Sequence, residues 1–216
     1  MGQVIFFTYL GSIVCSAIVG IGRFKHLSIP FRFLVALLVT TSLSETFTTY
    51  LSFVLHSNNR PVYHFYLIIA FWLYCFIYFH LVNNARPRLL ILVMAICFTI
   101  FSVIDSLFFQ KIQDFPSNNL IVCNVLLVAL CLLYFKYLID LNPFESLKRN
   151  SRYLLNTGVL MYFTIEIFIW GILDYLEKVQ KYNGPVIIFG LLLSILYYSF
   201  LTIILLKVKE TRLQNK

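Results

Sequence analysis

Seven long apolar stretches, separated by short polar connections, dominate this chain of 216 residues. Each stretch is long enough to cross the roughly 30 Å hydrocarbon core of a bilayer as a helix, which rises about 1.5 Å per residue. We predict helices over residues 3–22, 31–55, 62–82, 89–109, 120–139, 153–175 and 185–206. No connection could hold a separate domain, so residues 1–216 are predicted to form one all-α polytopic transmembrane domain.

The composition agrees with a membrane protein and excludes several soluble classes. Hydrophobic residues make up 60% of the chain and charged residues 12%, whereas a soluble domain has about 25% charged residues. The five cysteines all fall within the predicted helices, which excludes a secreted disulfide scaffold. The first stretch lacks a basic leading region and a small-residue cleavage site, so we expect it to be a retained helix.

The basic residues predict the orientation of the helices. Of the 17 Lys and Arg residues, all but four lie at one side of the predicted bundle, and the other side holds Arg60, Lys111, Lys178 and Lys181. Because Lys and Arg in short loops stay cytoplasmic, we predict an outside N-terminus and a cytoplasmic C-terminus, in the inner membrane of a bacterium. The net charge of +8 is then explained by topology and anionic lipid, so we expect no nucleic-acid partner.

No motif in the chain indicates a cofactor, a metal site or a catalytic residue. A phosphate-binding glycine loop and a nucleophile elbow are both absent. All four histidines precede residue 81, which argues against the zinc site of a ceramidase-like hydrolase. The last predicted helix has no lysine that could bind retinal. We therefore expect no cofactor, no metal and no catalytic group.

Two parts of the sequence resemble each other and suggest a repeat of three helices, a linker helix and three helices. Asn59-Arg60-Pro61-Val62 opens the third stretch and Asn183-Gly184-Pro185-Val186 opens the seventh. Glu45 and Glu166 follow an arginine by 13 and 14 residues in the second and sixth stretches. Shared aromatic composition is the alternative explanation of these matches.

The helix count, orientation and repeat layout resemble the sugar-transporting SWEET and PQ-loop families. The Pro-Gln dipeptide of those families is absent, so the resemblance is one of layout and carries no site residues. The residues from Asn59 to Tyr66, together with Ser44-Glu45, resemble an uncharacterised family of small bacterial seven-helix membrane proteins. That second resemblance implies no function.

Acidic residues occur at membrane depth, where they need an explanation. At 1.5 Å per residue, Glu45 lies about 20 Å above Arg32, Glu166 about 21 Å above Arg152, and Asp105 about 25 Å above Arg88. An ionisable side chain at that depth costs about 2.5–3.5 kcal/mol on insertion scales, so these groups should face the bundle interior or a wet cavity.

Polar and aromatic side chains surround these acids at helical spacing. Thr41, Glu45 and Thr48 form one stripe on the second stretch, and Tyr162, Glu166 and Trp170 align on the sixth. If the helices converge, they form an outward pocket suited to a small cationic or polyhydroxy ligand. The predicted ligand-binding residues are Glu45, Glu166, Asp105, His64, Tyr66, Thr41, Thr48, Tyr162 and Trp170. The alternative is that hydroxyls and a neutral carboxyl group only join helices.

Three functions remain open. We predict a receptor-like or accessory module that binds a small ligand or partner in its outer half and signals to a separately encoded cytoplasmic effector protein. The first alternative is a small-solute facilitator or proton-coupled transporter, and the second is a membrane-embedded lipid-modifying enzyme. A receptor predicts a closed inner half, a transporter predicts polar lining on both sides of the glutamates, and an enzyme predicts a lateral opening. The sequence also leaves a homo-oligomer open.

Overall fold

The computed structural model describes residues 2–141, 150–179 and 183–208, and this part of the chain is helical without strands. The helices are α1 (Gly2–Arg23), α2 (Ile29–Phe53), α3 (Arg60–Leu81), α4 (Ala85–Ile104), α5 (Ser117–Leu141), α6 (Ser151–Lys178) and α7 (Gly184–Lys207). A short 3-10 turn, Phe24–His26, follows α1, and a π-helical turn, Asp105–Phe109, extends α4. All seven helices are long and apolar enough to span a membrane, which confirms the predicted multi-pass all-α fold.

Proline marks the start of several helices. Pro30, Pro61 and Pro185 lie in the first turns of α2, α3 and α7. Proline is favoured there because its φ angle suits a helix and its missing N–H would have had no partner within the helix. The helix boundaries predicted from the sequence differ from the observed ones by only a few residues.

Six helices form a closed ring, and one lies outside it. Around the ring, α1 packs against α2, α2 against α3, α3 against α5, α5 against α6, α6 against α7, and α7 against α1. The remaining helix, α4, packs on the outside against α3 and α5. This arrangement leaves the middle of the ring to side chains from six helices.

The outer surface of the ring is apolar, as lipid contact requires. Large side chains such as Leu43, Phe47, Phe168 and Leu196 are more than half exposed. An exposed apolar surface of this extent marks a surface covered by lipid or protein. The bilayer environment predicted from the sequence agrees with this surface.

At the end of the bundle that holds the C-terminus of α1, Arg23 joins α1 to α7. Its guanidinium group donates to the backbone oxygens of Leu205 (2.8 Å), Leu206 and Val208 (2.9 Å). The last carbonyls of a helix have no partner within the helix and carry partial negative charge. Arg23 therefore caps α7 and fixes its end against α1.

Close packing between α1 and α2 depends on Gly20. A Cβ atom at this position would lie 2.8 Å from Cγ2 of Val35, which is itself buried. We expect Gly20→Ala to lower the free energy of unfolding by about 1 kcal/mol, since an extra methyl group in a tight interface forces the helices apart. Denaturation in mixed micelles, followed by circular dichroism, measures the change.

Gly22→Ala is the matched control, because a Cβ atom there would meet nothing within 4 Å. Alanine is the better helix former, so this control should be neutral or slightly stabilising. Equal stability of the two variants would contradict the close α1–α2 contact.

Candidate ligand-binding cavity

A cavity of about 300 Å³ lies inside the ring, and all six ring helices line it. The α4–α5 connection closes part of its rim through Phe115 and Pro116. The cavity reaches from the end where α3 and α7 begin to a floor that includes Leu37, Leu127 and Leu201. Its volume is at the lower end of the range for small-ligand sites, about 300–1,000 Å³.

Glu45 of α2 lines one wall of the cavity and is 9% exposed. The hydroxyl groups of Tyr9 from α1 and Tyr63 from α3 are hydrogen-bonding neighbours of its carboxyl group. Tyr63 also shares a 3.3 Å hydrogen bond with Thr48, one turn along α2. Three helices thus hold the Glu45 side chain in one place.

Glu166 of α6 lines the cavity and is 8% exposed. The indole N–H of Trp170 donates to its Oε2, and Tyr162 is a further hydrogen-bonding neighbour. Trp170 is stacked on Phe115 with ring centroids 4.7 Å apart. The stack ties the second acid to the connection at the rim of the cavity.

Pairs of hydroxyl groups join neighbouring or facing helices around the cavity. Thr41 and Tyr66 share a 2.9 Å hydrogen bond between α2 and α3. Tyr162 and Ser194 share one of 3.0 Å between α6 and α7. Across the ring, Tyr74 and Tyr197 share one of 2.9 Å, and the rings of Tyr162 and Tyr197 stack at 4.0 Å. These hydroxyl groups are therefore already paired within the protein.

The charge of the cavity is one-sided. Among the described residues that line it, two are acidic and none is Lys, Arg or His. Within the described ranges, an ion pair joins Arg60 to Asp114 at 4.0 Å on the exposed surface. Neither Glu45 nor Glu166 has a basic partner in the cavity wall.

Six of the nine predicted site residues come together in this cavity. They are Thr41, Glu45, Tyr66, Tyr162, Glu166 and Trp170. The other three, Thr48, His64 and Asp105, do not line it. Thr48 lies behind Glu45, where its hydroxyl donates to the Glu45 backbone oxygen at 3.0 Å.

His64 and Asp105 lie at the contact with α4, outside the ring. Nε2 of His64 donates to the backbone oxygen of Asp114 at 3.1 Å, and Nδ1 shares a 2.8 Å hydrogen bond with Ser106. Asp105 begins the π-helical turn and accepts a 3.1 Å hydrogen bond from Asn118. Through these hydrogen bonds both residues hold the α4–α5 connection in place. They lie away from the cavity because α4 packs on the outside of the ring.

Sequence reasoning did not single out several residues of the cavity. Tyr9 and Phe6 come from α1, and Tyr74 and Ser194 come from α3 and α7. The position of Tyr74 could have indicated a site residue, since it lies near the middle of its helix rather than at the membrane interface that tyrosine prefers. The position of Tyr9 gave no such indication, because it suits an interfacial tyrosine equally well.

Below the cavity, towards the Arg23 end, the bundle is closed by buried side chains. Leu34, Leu130 and Leu205 are fully buried there, and Tyr134 is 1% exposed. The hydroxyl group of Tyr78 donates to Oδ1 of Asn156 at 2.9 Å and contacts Sγ of Cys131 at 3.0 Å. Asn156 in turn donates to the backbone oxygen of Cys131 at 3.2 Å. This network and the leucines fill the half of the bundle that holds Arg23.

Within the described ranges, no three His, Cys, Asp or Glu side chains form a group that could hold a metal ion. No protein-family model matches the chain, and neither a curated protein nor a solved structure is significantly similar to it. The residues that line the cavity are therefore the basis for a function.

Proposed function

We propose that this protein is a receptor-like membrane module that binds a small ligand in its cavity and signals to a separately encoded cytoplasmic effector. The observation that carries the proposal is a cavity with two buried acids that ends on a closed, well-packed half of the bundle. A buried carboxyl group in a concave site is expensive in a membrane, and such groups mark functional sites more often than structural ones.

The orientation of the cavity follows from the charges at the two ends of the bundle. Arg23, Arg32, Arg88 and Lys207 lie at helix ends opposite the cavity mouth. Because Lys and Arg concentrate on the cytoplasmic side, we place the cavity on the outside of the bacterial inner membrane. An external ligand can then reach the site without crossing the bilayer.

A route for the signal runs along α7. Tyr197 and Tyr198 line the cavity floor, and the same helix ends at the carbonyls that Arg23 caps. A ligand that binds one position of α7 better than another shifts the population of that position. Because Arg23 joins the cytoplasmic ends of α7 and α1, a shift of α7 would move both ends together, and an effector would detect the change there.

A small-solute transporter is the second candidate, and the pattern of hydrogen bonds around the ring favours it. Thr41 and Glu45 each lie 121 positions before Tyr162 and Glu166. In both halves the first of these residues bonds to the next helix, Thr41 to Tyr66 and Tyr162 to Ser194. This correspondence supports a repeat of three, one and three helices, which is the layout of known transporters.

The two candidates are separated by measuring binding and uptake in one reconstituted preparation. We expect at least one compound from a panel of sugars, amino acids and amines to raise the melting temperature of the wild type, without uptake into proteoliposomes. The Glu45→Gln variant should lose the stabilisation. Uptake that both Glu45→Gln and Glu166→Gln abolish would instead establish the transporter.

A further inference from the structure

We infer that the ligand of the cavity is a small organic cation, with its ammonium group in the acidic cavity that Glu45 and Glu166 line and its apolar body against the aromatic side chains. The inference rests on the proposed function, since it names the class of ligand for the same cavity.

The charge of the cavity wall favours a cationic ligand. The described lining has two acids and no base, and Glu45 and Glu166 are both more than nine-tenths buried. A buried charge is stabilised by an opposite charge and by hydrogen bonds. The described part of the lining supplies hydroxyl and indole donors to these carboxyl groups but no cation, so a cationic ligand would complete the site.

The aromatic side chains beside the two acids also favour a cation. Tyr9 and Tyr63 adjoin Glu45, while Tyr162 and Trp170 adjoin Glu166. An ammonium group within about 6 Å of such a ring is attracted to its face, and enclosures of this kind are a common way to bind quaternary ammonium ligands. Acids next to aromatic rings on two sides of one cavity therefore favour an ammonium ligand over an anion.

The hydrogen bonds within the cavity wall favour an organic cation over a sugar. A polyhydroxy ligand needs many free hydrogen-bonding groups, but most cavity hydroxyls already bond to each other: Thr41 to Tyr66, Tyr162 to Ser194, and Tyr74 to Tyr197. The rest of the wall includes apolar side chains such as Leu67 and Leu191. A ligand with one charged group and an apolar body suits such a wall.

One polar group of the wall remains available. Asn124 of α5 lines the cavity, is 2% exposed, and its amide nitrogen has no hydrogen-bond partner among the described residues. A buried amide without a partner is costly, so a partner for it is favoured. Asn124 can therefore form a hydrogen bond with a polar substituent on the body of the ligand.

The volume separates an organic cation from a metal ion. A bare Na⁺ or Ca²⁺ needs a tight shell of oxygen ligands, whereas this cavity has a volume of about 300 Å³ and a largely aromatic and aliphatic wall. A molecule of metabolite size fills the space, and a carboxyl group of the wall is a partner for its charged group.

Three probes of similar shape test the charge directly: 2-phenylethylamine, 2-phenylethanol and phenylacetate. At neutral pH they are a cation, a neutral molecule and an anion. We expect the amine to bind wild-type protein in nanodiscs at least about tenfold more tightly than the alcohol, a ratio worth about 1.4 kcal/mol. Phenylacetate should show no binding. Thermal shift and isothermal calorimetry provide the affinities.

Matched variants assign the preference to the cavity. Glu45→Gln and Glu166→Gln should each weaken amine binding by about tenfold or more, because each removes one of the two carboxyl groups that attract the cation into the cavity. Asp140→Asn is the control, since Asp140 lies at the opposite end of the bundle and outside the cavity. It should bind the amine as the wild type does.

The possible results distinguish the inference from the proposed function. Equal affinity for the amine and the alcohol, or no binding of the amine to the wild type, would overturn the organic cation. In the first case, the receptor proposal would stand if the Gly190→Phe variant, whose added ring fills part of the cavity, lost binding of both compounds. Uptake of the amine into liposomes would support the cation and contradict the receptor.

Discussion

Substitution of Gly190 by Phe is expected to weaken binding of 2-phenylethylamine by at least about 100-fold, or about 2.7 kcal/mol. Gly190 lines the cavity, and a Cβ atom there would lie 3.6 Å from Cγ2 of Ile169, an ordinary contact. The position therefore has room for a Cβ atom, and the ring added beyond it is expected to occupy space that the ligand needs. Neither glutamate is changed, so a loss of binding would come from volume rather than charge.

Gly171→Phe is the control for the added aromatic ring. Gly171 is exposed on the lipid side of α6, and a Cβ atom there would meet nothing within 4 Å. We expect this variant to bind the amine normally. A Gly190→Phe protein that keeps its melting temperature and still binds with wild-type affinity would show that the ligand binds elsewhere.

Asn156→Leu is expected to lower the free energy of unfolding by about 2–3 kcal/mol, because it breaks a buried network in the half of the bundle that holds Arg23. Asn156 is fully buried and joins the hydroxyl group of Tyr78 to the backbone of Cys131. Leucine has a similar size but leaves Tyr78 with Cys131 Sγ as its remaining partner. Since polar groups in a membrane have no water to replace a lost partner, the cost is not recovered elsewhere.

The neighbouring residue provides the control for this second prediction. Thr157 donates to the backbone oxygen of Tyr153 within its own helix, so Thr157→Ala should cost little. Tyr78→Phe removes the other partner and should show an intermediate loss. A stability for Asn156→Leu equal to that of Thr157→Ala would contradict the role of the network.

Much of the fold could be predicted because each span carries its own signal. Twenty or more apolar residues predict a spanning helix wherever they occur, and Pro30, Pro61 and Pro185 mark helix starts by local chemistry. The spacing of Thr41 and Glu45 on one helix likewise places both on one face. Six of the predicted site residues line one cavity for these local reasons.

The order of the helices around the ring could not be predicted. Depth and face follow from sequence spacing, but the neighbours of a helix depend on packing among all seven. Asp105 and His64 have the depth expected of site residues, yet α4 lies outside the ring and holds both at its own interface. The tyrosine pairs of the cavity are equally non-local: Tyr74 and Tyr197 are 123 residues apart.

The half of the bundle that holds Arg23 also differs from one alternative that the sequence left open. Polar residues such as Asn156, Tyr197 and His80 could have lined a path to the cytoplasm. Instead, Asn156 is buried in the network with Tyr78, Tyr197 lies at the cavity floor, and the His80 ring bonds to the Phe76 backbone and packs on Phe33. Among the described residues these side chains form separate contacts rather than a continuous polar path, which favours the receptor.

The most direct test of the central claim is the accessibility of single cysteines along α2, in a protein whose five native cysteines are replaced. Thr41 and Glu45 line the cavity, whereas Leu34 is fully buried two turns below Thr41 and does not line it. We predict that a membrane-impermeant cationic thiol reagent added outside modifies Thr41→Cys and Glu45→Cys but not Leu34→Cys. The same reagent added from the cytoplasmic side should modify none of the three. Modification of Thr41→Cys or Glu45→Cys from the cytoplasmic side would contradict an outward cavity above a closed inner half.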